Sequence, residues 1–335
     1  QLLKEIFSIM GDHSEIQLSK LLNHSNPDAV LICVRDLYRF FYTPDAFTPV
    51  ANTLCRMMEL FRGEFPGYQG CNTEYHDQFH TLDIFLTTSR LIDGRNLSEQ
   101  PFSERLATNL LLAALLHDTG YIQEACDTIG TGARHTKIHV ERSMDFVRKN
   151  AAAIDLPPED VETICHLIHC TGLQVDCSVE FQDPEETIAG SILGTADLLG
   201  QMSDRAYLEK LLFLYYEFCE AGFEGYETEF DLLRKTMVFY ESTMDRLNNT
   251  LLRSYRYVET HFAMRHGVQE NLYLKSINLQ MAYLEKIILD ESTNFRTKLR
   301  RLNLNEAEKR LKARLIPPIV QSHISGTKIH SPENF

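Results

Sequence analysis

The sequence predicts an all-α protein, folded as a helical bundle. Apolar residues recur at spacings of three and four along most of the chain, which is the period of an amphipathic helix. No convincing stretch alternates apolar and polar residues over more than a few positions, as a strand would. Residues that favour helix starts, such as Ser103 and Pro158, precede several of the apolar runs.

The predicted helices follow one another along the chain. A first amphipathic helix is predicted from the apolar pattern of residues 21–38, and a second covers residues 49–61 and opens with a proline. A third covers residues 103–116, with Ser103 as N-cap and Glu104 in its first turn. Further helices are predicted over residues 134–149, 158–167, 188–202, 206–219 and 230–253.

The composition excludes several classes of protein. The 44% hydrophobic and 24% charged residues are those of an ordinary globular chain, and no apolar run approaches the roughly 20 residues that cross a bilayer. The net charge of −14 argues against nucleic-acid binding over the whole surface. The eight cysteines form no Cys-x-x-Cys pair, which favours reduced thiols. We therefore expect a cytoplasmic protein with no membrane partner.

Three segments are predicted along the chain. Residues 1–65 form an N-terminal helical segment that packs on the core, residues 66–255 form the catalytic domain, and residues 256–335 form C-terminal helices with a basic arm and a frayed tail. The sequence begins at Gln1 without a methionine or a signal-peptide pattern, so a missing upstream domain is expected.

The basic arm is a solvated helix face in the plainest interpretation. The alternatives are an arm that joins a homodimer and a contact with an acidic partner. Its cationic residues are Arg296, Lys298, Arg300, Arg301, Lys309, Arg310, Lys312 and Arg314.

The segment EYHDQFHTLDI, residues 74–84, concentrates titratable side chains in a short stretch. If it is helical, His76 and His80 lie on one face, one turn apart, with Asp83 nearby. This is the arrangement of a pair of metal ligands, or of an acid beside a ligand. By itself the spacing is also common by chance.

A second concentration follows the apolar run LLAALL, which ends in His117 and Asp118. Burying a charged aspartate beside a histidine costs several kcal/mol unless the carboxylate is paired or bound to a metal. Asp197 raises the same question, because it lies in an otherwise apolar predicted helix. These positions favour a cation site, and a plain helix end at Gly120 is the alternative for the first of them.

Two more histidine pairs have the spacing of one helix face. They are His135 with His139 and His166 with His169. A satisfied core histidine is the alternative for the first member of each pair. Mixed imidazole and carboxylate ligands suit zinc, manganese, iron, cobalt or magnesium.

The order of these residues resembles the HD superfamily of metal-dependent phosphohydrolases. The ordered set is His80, His117, Asp118, His139, His169 and Asp197. The segment YHDQFHTLDI also resembles the Tyr-His-Asn-x-x-His-Ala-x-Asp-Val signature of the class I cyclic-nucleotide phosphodiesterases. The resemblance covers roughly residues 70–200. Two positions depart from the phosphodiesterase pattern: Asp77 stands where the signature has asparagine, and Tyr121 stands where a further histidine follows the His-Asp pair.

The resemblance implies an HD-domain, phosphodiesterase-like bundle with one or two divalent metal ions per chain. His80, His117, Asp118 and Asp197 would hold one ion, and Asp118 would bridge to a second. His139 and His169 would hold that second ion, or it would rest mostly on water. The identity of the metal among manganese, magnesium, zinc, iron and cobalt is left open.

The resemblance also implies the chemistry. His76 would be the general acid that protonates the leaving oxygen, with Asp83 or Glu74 orienting it or a ligand histidine, and Asp118 would serve in catalysis through the metal. The expected partner is a small phosphorylated substrate, a nucleotide with a phosphodiester. The alternatives are a nucleotide phosphomonoesterase, a deoxynucleotide triphosphohydrolase, a non-catalytic HD signalling module, and a helical scaffold with incidental histidines.

Overall fold

The fold is built from α-helices throughout the described part of the chain. The structure is a computed structural model that describes residues 16–290, 294–304 and 309. Within these residues it contains 13 α-helices and no strand. The predicted all-α bundle is therefore confirmed. None of the helices described is long and apolar enough to span a bilayer.

The helices are numbered α1 to α13 in chain order. They are α1 (Leu18–Leu21), α2 (Pro27–Tyr38), α3 (Thr48–Arg62), α4 (Gln78–Ser98), α5 (Glu104–Leu116), α6 (His139–Asn150), α7 (Val161–His169), α8 (Cys177–Glu180), α9 (Pro184–Ser203), α10 (Tyr207–Glu220), α11 (Glu229–Asn248), α12 (Tyr257–His266) and α13 (Leu272–Leu289). The chain also contains short 3-10 helices, which include Thr119–Tyr121, Gly132–Ile138 and Phe295–Lys298.

Several helices begin or end at capping residues that can be recognised in the sequence. The side chain of Asn26 accepts hydrogen bonds from the first backbone N–H groups of α2, and Pro27 begins the helix. Ser103 caps α5 by accepting from the N–H of Leu106, as predicted. Gly63 ends α3 in the left-handed region at φ 78°.

Several helices begin later than expected, among them the helix predicted from residue 21, which begins at Pro27. Residues 132–138 wind as a 3-10 helix, so the α-helix predicted from residue 134 begins only at His139. Helix α4 begins at Gln78 because the Asp77 carboxylate caps it and accepts from the N–H of His80. His76 therefore precedes the helix, and the prediction that it shares a helix face with His80 is wrong.

Helix α4 lies at the centre of the bundle and is buried along most of its length. It packs against α2, α5, α9 and α12. One continuous hydrophobic core contains these contacts, and it extends from Val30 near the N-terminus to Leu299 near the C-terminus. Residues of all three predicted segments contribute to this core. Because α4 packs against four other helices, its first turn is held in a fixed position.

The described part of the basic stretch differs from the predicted solvated helix. Residues 295–298 form a 3-10 helix, in which Arg296 and Lys298 are half-buried. The Arg296 Nε donates to Glu229 Oε2 at 2.8 Å, and Lys298 pairs with Asp290. Arg310, Lys312, Arg314 and the predicted tail over residues 322–335 lie outside the described residues.

Gly94 permits the close approach of α4 and α12. A Cβ atom at this position would lie 1.8 Å from the Tyr257 carbonyl oxygen, and this backbone atom has no room to move. We expect Gly94→Ala to lower the free energy of unfolding by about 3 kcal/mol despite the better helix propensity of alanine. Urea unfolding followed by circular dichroism measures the loss.

The matched control is Gly200→Ala, on α9. Its added Cβ would meet the Cδ1 atom of Ile84 at 2.6 Å, which is the far end of a flexible side chain. We expect a loss of about 1 kcal/mol or less at this position. A small and equal loss at both glycines would show that α12 does not pack against α4 in this way.

Candidate metal centre and proton donor

Four of the predicted ligands meet at one point in the bundle. His80 lies in the first turn of α4, His117 and Asp118 follow α5, and Asp197 lies on α9. The His80 Nε2 is 3.2 Å from Asp118 Oδ2 and 3.5 Å from Asp197 Oδ1. The His117 Nε2 is 3.3 Å and 3.9 Å from the same two oxygens. The ligand atoms of His80, His117 and Asp118 all lie within 4.8 Å of one another, which is close enough to share one ion, and Asp197 Oδ1 lies beside the two histidines.

The hydrogen bonds around His117 determine which ring nitrogen faces the group. Its Nδ1 lies 2.9 Å from the Ala114 carbonyl oxygen, which can only accept, so Nδ1 carries the proton. Nε2 is then the nitrogen that points at the Asp118 carboxylate. Within the described structure, this Nε2 and Asp118 Oδ2 are buried and have no hydrogen-bond partner. A metal ion would satisfy both buried atoms, so the donor set fits a metal ion.

The same contacts shift the pKa values of the group. Burial lowers the pKa of His80, but the carboxylates of Asp118 and Asp197 outweigh it and raise the pKa to about 10. Burial opposes ionisation of Asp118, yet His117 and His80 hold its pKa well below the usual range. The Asp118 carboxylate therefore keeps its negative charge in the interior and favours a cation at this point.

His139 faces the other oxygen of Asp118. Its Nε2 lies 3.8 Å from Asp118 Oδ1, and its Nδ1 lies 2.7 Å from the Thr136 carbonyl oxygen. The proton on Nδ1 leaves Nε2 free to act as a ligand, and burial lowers the pKa of His139, which keeps the ring neutral. Asp118 thus presents one oxygen to His80 and His117 and the other to His139, as a carboxylate that bridges two cations would.

His169 ends α7, and it does not line the cavity beside the other ligands, whereas Thr171 and Leu173 do. Its predicted role with His139 as a ligand of a second ion stays a prediction. In the alternative, a second ion would rest on Asp118, His139 and water.

His76 lies beside the ligands and is held by a residue that the sequence did not indicate. Its Nδ1 is 2.7 Å from Glu217 Oε2, on α10, and its Nε2 is 3.3 Å from the Tyr121 hydroxyl. The His76 and Tyr121 rings stack at 4.2 Å. Glu217 is 2% exposed, and its other oxygen accepts from the N–H of Tyr75 at 2.8 Å. The only local signal for Glu217 was a carboxylate in an apolar helix.

The sequence predicted that Asp83 or Glu74 orients His76 or a ligand histidine. In the structure, Glu217 contacts the His76 ring. Asp83 Oδ1 lies 2.5 Å from His24 Nδ1, and this contact raises the pKa of His24. Asp83 and Glu74 both line a different cavity. The prediction that Asp83 orients His76 or a metal ligand is therefore wrong, because the side chain points away from the site.

The ligands line one wall of a cavity of about 330 Å³. His76, His80, Asp118, His139 and Asp197 lie on this wall. The opposite wall consists of α10, α11 and the loop between them, and it carries mostly leucine and aromatic side chains. The cavity is large enough for a small organic molecule whose reacting group would contact the ligands.

The comparisons with known proteins add a partial family match. A family model described as Npun_R2479-like, of unknown function, matches residues 127–277, which is less than half of the chain. The matched region contains His139, Asp197 and Glu217, and His76 and His80 precede it. No curated protein matches the chain. The chain is thus similar to this family over residues 127–277. The site described above also includes residues that precede this region.

Proposed function

We propose that the protein is a metal-dependent phosphohydrolase that resembles the phosphodiesterases of the HD superfamily and cleaves a small phosphoester, most simply that of a nucleotide. The observation that carries the proposal is the meeting of His80, His117, Asp118 and Asp197. Their facing ligand atoms lie 3.2 to 3.9 Å apart, and two of these atoms are buried without a partner in the described structure. The order of these residues along the chain supports the same conclusion.

His80, His117, Asp118 and Asp197 would hold one divalent cation, and Asp118 with His139 would hold a second. Manganese, magnesium, zinc, iron and cobalt all suit such ligands. A cation at this position lowers the pKa of bound water toward neutrality and neutralises charge on phosphoryl oxygens. The protein contributes the fixed geometry, because three helices place the ligands before a substrate arrives.

The same wall supplies a proton donor. His76 Nε2 lies on the cavity wall next to Tyr121, and Glu217 fixes the ring from the other side. The buried carboxylate also stabilises the positive charge of a protonated imidazole. His76 is therefore placed to give its Nε2 proton to the leaving oxygen of a phosphoester.

The cavity favours a monophosphate ester over a triphosphate. Lys235 is the one lysine or arginine that lines it within the described residues. A triphosphate would bury several negative charges there with few cations to pair with them. A phosphomonoesterase would use the same ligands, and a non-catalytic HD module would have no need of the paired His76 and Glu217.

The location and the partners also belong to this proposal. None of the eight cysteines forms a disulfide, which supports a cytoplasmic location where thiols stay reduced. A homodimer remains a prediction from the sequence.

Metal analysis followed by a substrate screen tests the proposal. We expect the purified chain to retain at least one equivalent of divalent metal after dialysis. With added manganese it should hydrolyse bis-(p-nitrophenyl) phosphate and at least one member of a panel of cyclic mononucleotides, cyclic dinucleotides and nucleoside phosphates. A chain that binds no metal at millimolar manganese, or that hydrolyses none of these esters when loaded, would disprove the proposed function.

A further inference from the structure

The wall of the cavity opposite the ligands is apolar over most of its area. It is formed by Leu211, Leu214, Phe218, Phe223, Leu232 and Phe239. Leu211 and Leu232 are buried, while the aromatic side chains are half-buried. The rings of Phe218 and Phe223 lie 4.6 Å apart. A group that enters the cavity from the ligand side therefore meets a surface of methyl groups and ring faces.

Three polar side chains that line the cavity already donate to backbone carbonyl groups. The hydroxyl of Thr171 donates to the Ile168 carbonyl oxygen at 2.8 Å. The hydroxyl of Thr236 donates to the Leu232 carbonyl oxygen at 2.9 Å. Lys235 donates from Nζ to the Gly225 carbonyl oxygen. The two hydroxyl groups thus have no donor left, and one of the three donors of Lys235 is engaged.

The ammonium group of Lys235 also contacts an aromatic ring. The Nζ of Lys235 lies 4.3 Å from the centre of the Tyr226 ring, in addition to its bond to Gly225. Gln201, near the ligand end, uses its carbonyl oxygen to accept from the Tyr75 hydroxyl at 2.9 Å. Lys235 and the Gln201 carbonyl oxygen thus already have partners, and most of the lining on α10, α11 and the loop between them is apolar.

From these contacts, and resting on the proposed function, we infer that the site selects the organic group of its phosphoester by apolar surface, so that it prefers aryl or alkyl units and accepts nucleotides without discriminating between their nucleobases. An apolar group gains from burial against the leucine and phenylalanine side chains. A base edge placed there would leave its donors and acceptors without partners. Selectivity then comes from apolar surface and shape.

Binding of phosphonates tests this inference without requiring turnover, because the carbon–phosphorus bond is not hydrolysed. Isothermal titration calorimetry with manganese present would compare methylphosphonate, 1-naphthylphosphonate and the 5′-monophosphates of adenosine, guanosine, cytidine and uridine. We expect the naphthyl compound to bind at least thirtyfold more tightly than the methyl compound. We expect the four nucleotides to lie within threefold of one another.

Phe239→Ser and Val238→Ser form a matched pair on α11. Phe239 lines the cavity, and the neighbouring Val238 is 65% exposed. Phe239→Ser should reduce the preference for naphthylphosphonate at least tenfold and leave methylphosphonate binding within twofold. Val238→Ser should leave both unchanged. Circular dichroism confirms that each variant is folded.

Several results would overturn the inference. They are no binding of any phosphonate, equal binding of the methyl and naphthyl compounds, and a tenfold preference for one nucleotide over the other three. The binding and hydrolysis measurements together distinguish a failure of the inference from a failure of the proposed function. Selective naphthyl binding without hydrolysis of any ester removes the proposed function alone, and hydrolysis without selectivity removes the inference alone.

Discussion

We expect the replacement of Asp118 by asparagine to abolish metal binding and to lower kcat/KM for a phosphodiester by about a thousandfold, which corresponds to about 4 kcal/mol of transition-state stabilisation. Asp118 is the only predicted ligand whose two oxygens face different histidines: Oδ2 lies 3.2 Å from His80, and Oδ1 lies 3.8 Å from His139. An amide keeps the volume but removes the negative charge and one acceptor oxygen. Both cation positions therefore lose the ligand that they share.

The measurement is metal content after dialysis, together with initial rates on bis-(p-nitrophenyl) phosphate. His166→Ala is the matched control, because His166 lies on α7, contacts the Phe181 ring at 6.1 Å and does not line the cavity. The control should keep its metal and most of its activity. Asp118→Asn protein that retains a full equivalent of metal would show that the cation, if there is one, binds elsewhere. Circular dichroism shows whether the variant is folded.

The parts of the fold that the sequence predicts well are those with local causes. The start of α5 follows from Ser103, whose side chain accepts from the backbone N–H three residues along the chain. The helix predicted from residue 21 begins only at Pro27, where Asn26 caps it in the same way. The ligands were recognisable for a related reason. A histidine beside an aspartate at the end of an apolar run, and an aspartate inside an apolar helix, each need a partner, whatever the fold.

The parts that the sequence did not predict depend on contacts between distant residues. Glu217 lies 141 positions from His76, and no local pattern links the two. The apolar cavity wall likewise forms only when α10 and α11 pack beside the ligands. His76 also illustrates how a local spacing can mislead, because Asp77 begins α4 after it and removes it from the helix face that it was expected to share.

His76 should be separable from the metal ligands by experiment, because its proposed task depends on the leaving group. We expect His76→Ala to keep its metal and to lose about 10² to 10⁴ in kcat on an alkyl phosphodiester, since an alkoxide leaves only with a proton. On bis-(p-nitrophenyl) phosphate the loss should stay below tenfold, because nitrophenolate is stable without one. Rates on a series of esters with leaving groups of different pKa measure this dependence directly.

Glu217→Gln and Tyr121→Phe distinguish the residue that positions His76 from its neighbour. Glu217→Gln should show the same leaving-group pattern at smaller amplitude, together with a changed pH profile, because the amide carries no charge to stabilise the protonated ring. Tyr121→Phe keeps the ring stack and loses the long contact to Nε2 and the hydrogen bond with Thr136, so it should change rates less than threefold. Equal losses of His76→Ala on alkyl and nitrophenyl esters would exclude the acid. A proton donor matters only where the bond between phosphorus and the leaving oxygen cannot break without a proton. If His76 were a metal ligand or a structural residue, its loss would affect alkyl and nitrophenyl esters alike.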